Sequence, residues 1–323
     1  MADLLIPDHF RDEFADNFRD FVQQKDSRLM KTVTVERGLT GISKEIKFVN
    51  PISSTETTGQ RFRKTVLSEL STNARWYYPR EFDATTGESK WDEKKLAPTI
   101  MGNGKHLMAH QRAYLRDCDL IIMAALVGNA YVGAQGNTTP TALPSTQIVP
   151  VDYVYTGSDA DSGLTAPKLI EGLRILKANE AWNEDAAAMG ERVWCVIDAA
   201  EEARLRQQAN LANGDRLYSN EFGGPPVFDP NNGFLNRWGA VNFVTYEGLL
   251  TASVTGASGT VTAKKIPLYV SSAAEFGVWA DIQSTVDRRA DLSNAIQFLS
   301  QYSIGAGREQ EEKVVQINAL VPA

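Results

Sequence analysis

"AYLRDCDLIIMAALVGNAYVG", residues 113–133, is the stretch on which the fold turns. Extended back to Leu107, it sets Leu107, Tyr114, Cys118, Ile121, Ile122 and Ala125 on one face. An α-helix repeats every 3.6 residues, so this spacing predicts an amphipathic rod of about 20 residues, roughly 30 Å long, that stops at Gly128.

Ahead of the rod, from about Ser53 to Lys105, the chain has few aliphatic residues and no helical periodicity of globular length. A compact domain rarely carries so long a stretch unpacked, so the segment is expected to leave the body. Within it, "RWYYPREF" (75–82) and "KWDEKKL" (90–96) read as strands flanking "DATTGES", where Asp83 and Gly87 supply turn chemistry. A β-hairpin is predicted there, with arms of some 25 Å against a radius of gyration near 20 Å for a chain of this length. Further upstream, "VTVERGLTGISKEIKFVNPI" (33–52) reads as one or two strands. Before it, Phe10, Phe14, Phe18 and Phe21 fall at steps of four, four and three. That narrow aromatic stripe predicts an amphipathic helix from Pro7 to about Gln24, an arm whose partner lies elsewhere in the fold or on a neighbouring chain.

Beyond the rod, a helix is predicted from Thr165 as N-cap, with Pro167 in its first turn and Leu169, Ile170, Leu173 and Leu176 buried. "RVWCVID" (192–198) reads as a core strand whose Asp198 caps the helix "AAEEARLRQQAN". "GAVNFVTYEG" (239–248) and "IPLYVSS" (266–272) read as further strands, and "TASVTGASGTVTAKK" (251–265) as a polar hairpin. "AAEFGVWADI" (273–282) reads as a short helix, and residues 295–317 as two strands around the glycine-containing bend "GAG".

Composition bounds the function. With 323 residues, 43% hydrophobic and 23% charged, the chain can bury a substantial core or divide into two lobes. A net charge of −7 argues against gripping nucleic acid through a broad basic face. Cys118 and Cys195 are too few for a disulfide framework or a four-thiolate metal site; both are expected in the core, in a reducing compartment. "MADLLIPDHFRDEFADNF" has no basic region followed by an apolar run, and no stretch approaches the ~20 apolar residues that span a bilayer, so a soluble chain is expected.

Chemistry finds little support. His106 and His110 share a helical face, but Leu107 stands where a zinc protease needs Glu, and His9 is the only other imidazole; solvated or interface histidines are the expected reading. "GNGKH" (102–106) and "GAGRE" (305–309) lack the rest of a phosphate-binding motif and read as turns. No G-x-S-x-G elbow is present. Glu201-Glu202 and Glu311-Glu312 read as solvated charge. No catalytic residue, metal or cofactor is expected.

The order of these elements, with residues 113–133, "LTAPKLIEGLRILKANEAW" (164–182), "RVWCVIDAAEEARL" (192–205), "NGFLNRWGAVNFVTYEGL" (232–249) and "YSIGAGREQEEKVVQI" (302–317), resembles a tailed-bacteriophage major capsid protein of the Hong Kong 97 fold. The resemblance implies an α+β fold. Its parts would be an N-terminal arm and first strands (1–52), an extended β-hairpin loop (53–105) and a peripheral domain with a spine helix (106–160). A mainly axial domain (161–270) and a return to peripheral strands (271–323) would follow. It further implies self-assembly through hexamers and pentamers into an icosahedral head enclosing double-stranded DNA without sequence-specific binding. An encapsulin-type compartment of the same fold is the alternative. The extended loop would then lie over a neighbouring subunit, with Trp76, Tyr77, Tyr78 and Trp91 as aromatic anchors and Arg80, Lys94 and Lys95 among the charges that set register. The Phe stripe would dock on a scaffold or neighbour. Because only about 50 residues precede the extended region, a separate scaffolding protein is expected, with a portal and a decoration protein as further partners. The chain departs from the family at "APTIMGNGKHLMAHQR" (97–112), where related proteins often carry an Arg-rich turn.

Overall fold

The computed structural model of the protein describes residues 24–54, 56, 58, 67, 69–88, 103–134, 137–154, 160–212, 226–230 and 233–321. The arm helix expected from Pro7 falls almost wholly outside them, so Phe10, Phe14, Phe18 and Phe21 lie outside the described residues.

Two strands, β1 (Thr34–Arg37) and β2 (Lys44–Val49), occupy the stretch read as one or two. Then come β3 (Thr72–Tyr77), β4 (Arg80–Glu88) and the long helix α1 (Asn103–Val127), followed by β5 (Ala130–Ala134), β6 (Asn137–Thr141) and β7 (Ile148–Val149). Helices α2 (Ala166–Ala178) and α3 (Glu184–Ala188), strand β8 (Val193–Ile197) and helix α4 (Ala199–Ala212) form a mixed segment. The rest is β: β9 (Val227–Phe228), β10 (Leu235–Trp238), β11 (Val241–Thr245), β12 (Thr251–Gly256), β13 (Gly259–Val270), β14 (Ala274–Arg289), β15 (Ala295–Arg308) and β16 (Val314–Leu320).

These strands make three sheets. The body sheet has the order β1-β14-β15-β4, and the ribbon sheet β2-β3-β5-β6. The lobe sheet runs β7-β16-β13-β8-β11-β10-β9, with β12 folded onto β13 as the predicted polar hairpin. From Tyr114 onward the face predicted for α1 is the buried one, Leu107 being only partly covered: Tyr114, Cys118, Ile121 and Ile122, with Leu126, pack with Phe276, Val278, Tyr302 and Ile304 of the body sheet, and Ala125 is buried too. Each fully buried aliphatic chain there contributes roughly 2 kcal/mol of hydrophobic free energy. A second core joins α2, through Leu169, Ile175 and Leu176, to Cys195, Ile266, Leu268 and Ile317 of the lobe sheet. Both cysteines are fully buried, as expected. Asp198 caps α4 as read, its Oδ1 accepting from Glu201 N at 2.9 Å.

Four readings need correction. "AAEFGVWADI" is a strand, the start of β14, buried on both faces from Ala274 to Val278 apart from partly exposed Glu275. Such a continuous apolar run carries no period to separate strand from helix. The "GAG" of 305–307 lies within β15, and the chain instead turns at the 3-10 segment Glu311–Lys313. "DATTGES" is no hairpin turn: residues 80–88 form one strand, β4, paired antiparallel with β15 from Arg80↔Ile304 to Glu88↔Ile296. The β-branched Thr85 and Thr86 suit that pleated position, and exposure alternates along the strand. The hairpin of the ribbon is β2–β3, in register from Lys44↔Tyr77 to Val49↔Thr72, so its connection is 50–71. Finally, Glu201, Glu202 and Glu311 are buried rather than solvated. Glu201 accepts from Leu164 N at 2.6 Å and from Arg204 at 3.0 Å, and Glu202 from Leu235 N at 3.0 Å and Arg206 at 2.7 Å. Buried carboxylates persist when charge-assisted hydrogen bonds replace water, and these four supply that replacement.

Candidate functional site

The described residues expose two projections and the joints that hold them. The ribbon is the first. Trp76, in β3, is buried against β5, and its Nε1 donates to Gly133 O at 2.8 Å. Tyr77 is 2% exposed, edge-on to Trp279 at 5.5 Å between centroids. These two rings are consumed within the chain, which corrects their expected role as anchors on a neighbour: the chain passes from the ribbon to the body sheet at Tyr78-Pro79, and the rings fill that crossing. Tyr78 is different. It is 37% exposed, edge-on to Tyr131 at 5.4 Å, with its hydroxyl 2.7 Å from Thr138 Oγ1. Arg80 is exposed at the start of β4. Trp91, Lys94 and Lys95 lie outside the described residues.

The second projection is a tongue of the body sheet. Beyond its bulges, β14 pairs with β15 from Gln283↔Gln301 to Arg289↔Ala295, and β4 lies along the other edge of β15. From Gln283 onward β14 is exposed at every residue, and β1 covers its outer edge only from Glu275 to Val278. Val286 and Leu292 place apolar surface in solvent on this tongue.

Polar joints fix both projections to α1. At the helix's C-terminal end, buried Arg308 donates from Nη1 to Leu126 O at 3.1 Å and Gly128 O at 2.8 Å, meeting the negative end of the helix dipole. Nearby Arg75 of β3 pairs with Glu311 at 2.6 Å. This is the role of the Arg in "GAGRE". At the N-terminal end, His106 Nδ1 is 3.0 Å from Thr86 Oγ1 and its Nε2 is 2.7 Å from Glu88. His110 lies 3.2 Å from the same hydroxyl and 2.8 Å from Ser300 Oγ. The ring nitrogens of this pair therefore face hydroxyls and a carboxylate of β4 and β15, and the solvated or interface reading is corrected to an internal one. Midway along α1, Asp119 binds the incoming chain. Its oxygens accept from Ser27 Oγ at 2.6 Å, Leu29 N at 3.0 Å and Arg28 N at 3.0 Å.

Sequence reasoning missed Asp119, Arg308 and Glu311 as organising residues. The signal for Asp119 was a carboxylate amid "DCDLIIM", beside the apolar face; for the others, pairing across 180 residues (Arg308 to Gly128) and 236 (Glu311 to Arg75) left no local trace. Burial pushes Cys118 up to about 12, which keeps it an unreactive thiol at neutral pH. Among the described residues no group of three or more His, Cys, Asp or Glu is placed to hold a metal ion, and no described helix is long and apolar enough to cross a membrane. What this arrangement offers is contact surface: an exposed ribbon and an exposed tongue, each tied by polar contacts to the ends of α1.

The model of one protein family, described as phage capsid protein, matches residues 6–321. Comparison with curated proteins finds no match. Among solved structures, the capsid of the cyanophage P-SCSP1u is similar with a TM-score of 0.65 at 14% identity, over 98% of this chain and 94% of that one. The capsid of Ralstonia phage GP4 gives 0.66 at 11% identity, over 100% and 97%. A structure from Mycobacterium phage Che8 gives 0.62 at 13%, over 98% of both chains. At such identities the structural likeness speaks for the α+β fold alone.

Proposed function

We propose an assembly role on a plain premise: this chain belongs to the phage capsid protein family. It is a major capsid protein, a structural component of the phage virion that forms the head. On our reading, copies associate through hexamers and pentamers into a closed icosahedral shell of the Hong Kong 97 type around double-stranded DNA. The observation that supports this best is the family match over nearly the whole chain, joined to a fold that sends a ribbon and a tongue out from one helix. Icosahedral closure needs nearly one interface in two symmetry settings, and extended elements accommodate the difference better than a rigid flat face. Tyr78 and Arg80 at the ribbon's base, Val286 and Leu292 on the tongue, and Phe10, Phe14, Phe18, Phe21, Trp91, Lys94 and Lys95 are the residues we assign to contacts between copies. The net charge of −7 suits a wall that encloses DNA without adhering to it. A separate scaffolding protein, a portal and a decoration protein are the proposed partners, with assembly in the host cytoplasm. The encapsulin-type alternative is not favoured, because the family and the structural neighbours are phage capsids.

Electron microscopy tests the reading. The chain expressed with the other head proteins of its phage is expected to give closed, uniform shells, and alone to give open or irregular ones. A monodisperse monomer under every assembly condition would sink the assembly role. Efficient uniform shells from the chain alone would sink the scaffold.

A further inference from the structure

At the N-terminal end of α1 a row of polar side chains threads through all three strands of the tongue. Ser284 Oγ of β14 lies 2.7 Å from Ser300 Oγ of β15, which lies 2.8 Å from His110 Nδ1. His110 Nε2 is 3.2 Å from Thr86 Oγ1 of β4, and that hydroxyl is 3.0 Å from His106 Nδ1. His106 Nε2 ends the row at Glu88 Oε1, 2.7 Å away. The row therefore runs from an exposed hydroxyl, through buried His110, to a carboxylate.

Only one set of proton positions satisfies this row when both rings are neutral. A carboxylate accepts and cannot donate, so His106 carries its proton on Nε2 and leaves Nδ1 an acceptor. Thr86 gives its single proton to that nitrogen and accepts from Nε2–H of His110. His110 Nδ1 is then an acceptor too, served by Ser300, which accepts from Ser284. Every bond points toward Glu88.

A second complete set exists with one proton more. Each group passes its proton one place toward Glu88: Thr86 to His106 Nδ1, His110 Nε2 to Thr86, Ser300 to His110 Nδ1, Ser284 to Ser300, and water to Ser284. His106 becomes an imidazolium against Glu88, and His110 stays neutral with its proton on Nδ1. Every bond from Thr86 outward is reversed, and no heavy atom has moved. We infer that this row is a proton relay: when His106 takes up a proton, neutral His110 changes tautomer, and the joint between tongue and α1 keeps all five hydrogen bonds.

The surroundings keep the added proton at His106. Burial first, then the charge at His106, holds the His110 imidazole below the ordinary value of 6.5, whereas His106 has a carboxylate at hydrogen-bond distance. Directly opposed residues of antiparallel strands share one side of a sheet, so register fixes what else faces the rings. Among the described residues at 80–88, 284–288 and 296–304, the side of Thr86, Ser284 and Ser300 carries Arg80 and Glu88 from β4, Arg288 from β14 and Tyr302 from β15. Tyr302 is bonded to Asp117 of α1, and Tyr114 lies one turn beyond His110 on the helix. Burial raises both phenols, so neither exchanges protons with the row near neutrality. Phe298 stacks on His106 at 4.4 Å between centroids and holds the plane in which both ring nitrogens reach their partners.

The relay belongs to one chain and does not rest on how copies assemble. Imidazole nitrogen NMR tests it on the full chain labelled with nitrogen-15 at histidine, because a protonated and a bare ring nitrogen resonate far apart. The chain has 3 histidines, so replacing each in turn assigns every signal. The titration runs from about pH 8 to about pH 5, the range in which imidazoles change charge. His110 is expected to favour Nε2–H about tenfold at the upper end and Nδ1–H about tenfold once His106 is charged, the ratio that one hydrogen bond supports. The change of tautomer should share the midpoint of the His106 titration. Thr86→Val keeps the branched side chain but cuts the row, and His106→Phe keeps the ring on Phe298 but removes the titrating group. Both are expected to hold the His110 ratio flat, and either carries the test if the other fails to fold. One tautomer of His110 throughout in the parent, uptake of the proton by His110 itself, a midpoint apart from that of His106, or a switch that survives in either folded variant would overturn the relay.

Discussion

Asp119 sits fully buried on α1 and accepts hydrogen bonds from Gln24, Ser27, Arg28 and Leu29, so one carboxylate fixes the point at which the chain enters the body. Removing it leaves the buried Leu29 amide, and the part-buried Arg28 amide and Ser27 hydroxyl, without their acceptor. Asp119→Ala is therefore expected to cost roughly 2 to 4 kcal/mol in urea unfolding, with amide exchange rising first at residues 24–32. An unchanged midpoint would mean those donors find water. His110 allows a prediction of a different sign. Burial, then the neighbouring His106, holds its imidazole below the ordinary value of 6.5. Between the folded value and 6.5 the unfolded chain binds a proton that the folded chain refuses, so stability falls as pH drops through that window. His110→Gln, which can still reach Thr86 and Ser300, is expected to flatten this slope; equal slopes in parent and variant would exclude His110 as its source.

Elements were legible in the sequence wherever one face was buried and the other wet. The period of α1 predicted its buried side from Tyr114 to Ala125, and the N-caps at Thr165 and Asp198 marked the starts of α2 and α4. Legibility failed where burial removed the period, as at Phe276 and Val278 in β14, and where a partner lay far along the chain, as for β4 on β15. Turn residues misled for the same reason: Asp83 and Gly87 suit a tight turn, yet pairing with Gln301 and Gln297 across the body sheet keeps them extended. Long-range polar ties were equally silent. Lys168, on α2, is fully buried and donates to Val151 O at 2.7 Å, Ser162 O at 2.8 Å and Asn318 O at 3.1 Å, binding Val151, Ser162 and β16 to the helix. Lys168→Met keeps the stem's volume and removes a buried charge, which offsets part of the loss, but leaves three carbonyls without that donor. A net cost of about 2 kcal/mol is expected, with exchange rising at 151–162 before it rises in β8. Uniform exchange across the lobe would show that the lysine supports the whole fold rather than this seam.

At the scale of the whole molecule, the ribbon is the element whose removal separates folding from assembly. Its strands β2 and β3 end side by side, with Val49 opposite Thr72, so the connection 50–71 can be replaced by a two-residue Asn-Gly turn without moving either strand. Among the described residues, neither the core around α1 nor that of the lobe takes a member from that connection, so the packing of both is expected to survive. Shortening the loop also lowers its closure entropy, by about 0.6 kcal/mol for each halving of length, or roughly 2 kcal/mol in all. The shortened chain is expected to unfold at or above the parental temperature. Assembly should respond in the opposite direction. If the ribbon's far end reaches a neighbouring copy, its loss removes one side of that contact from every copy in the shell at once, and co-expression with the other head proteins should yield soluble subunits in place of closed particles. Closed shells of normal size from the shortened chain would move the contact between copies to the tongue, where Val286 and Leu292 would be the next residues to replace. A chain that fails to fold would instead show that 50–71 packs on its own body, the outcome in which this ribbon is internal structure.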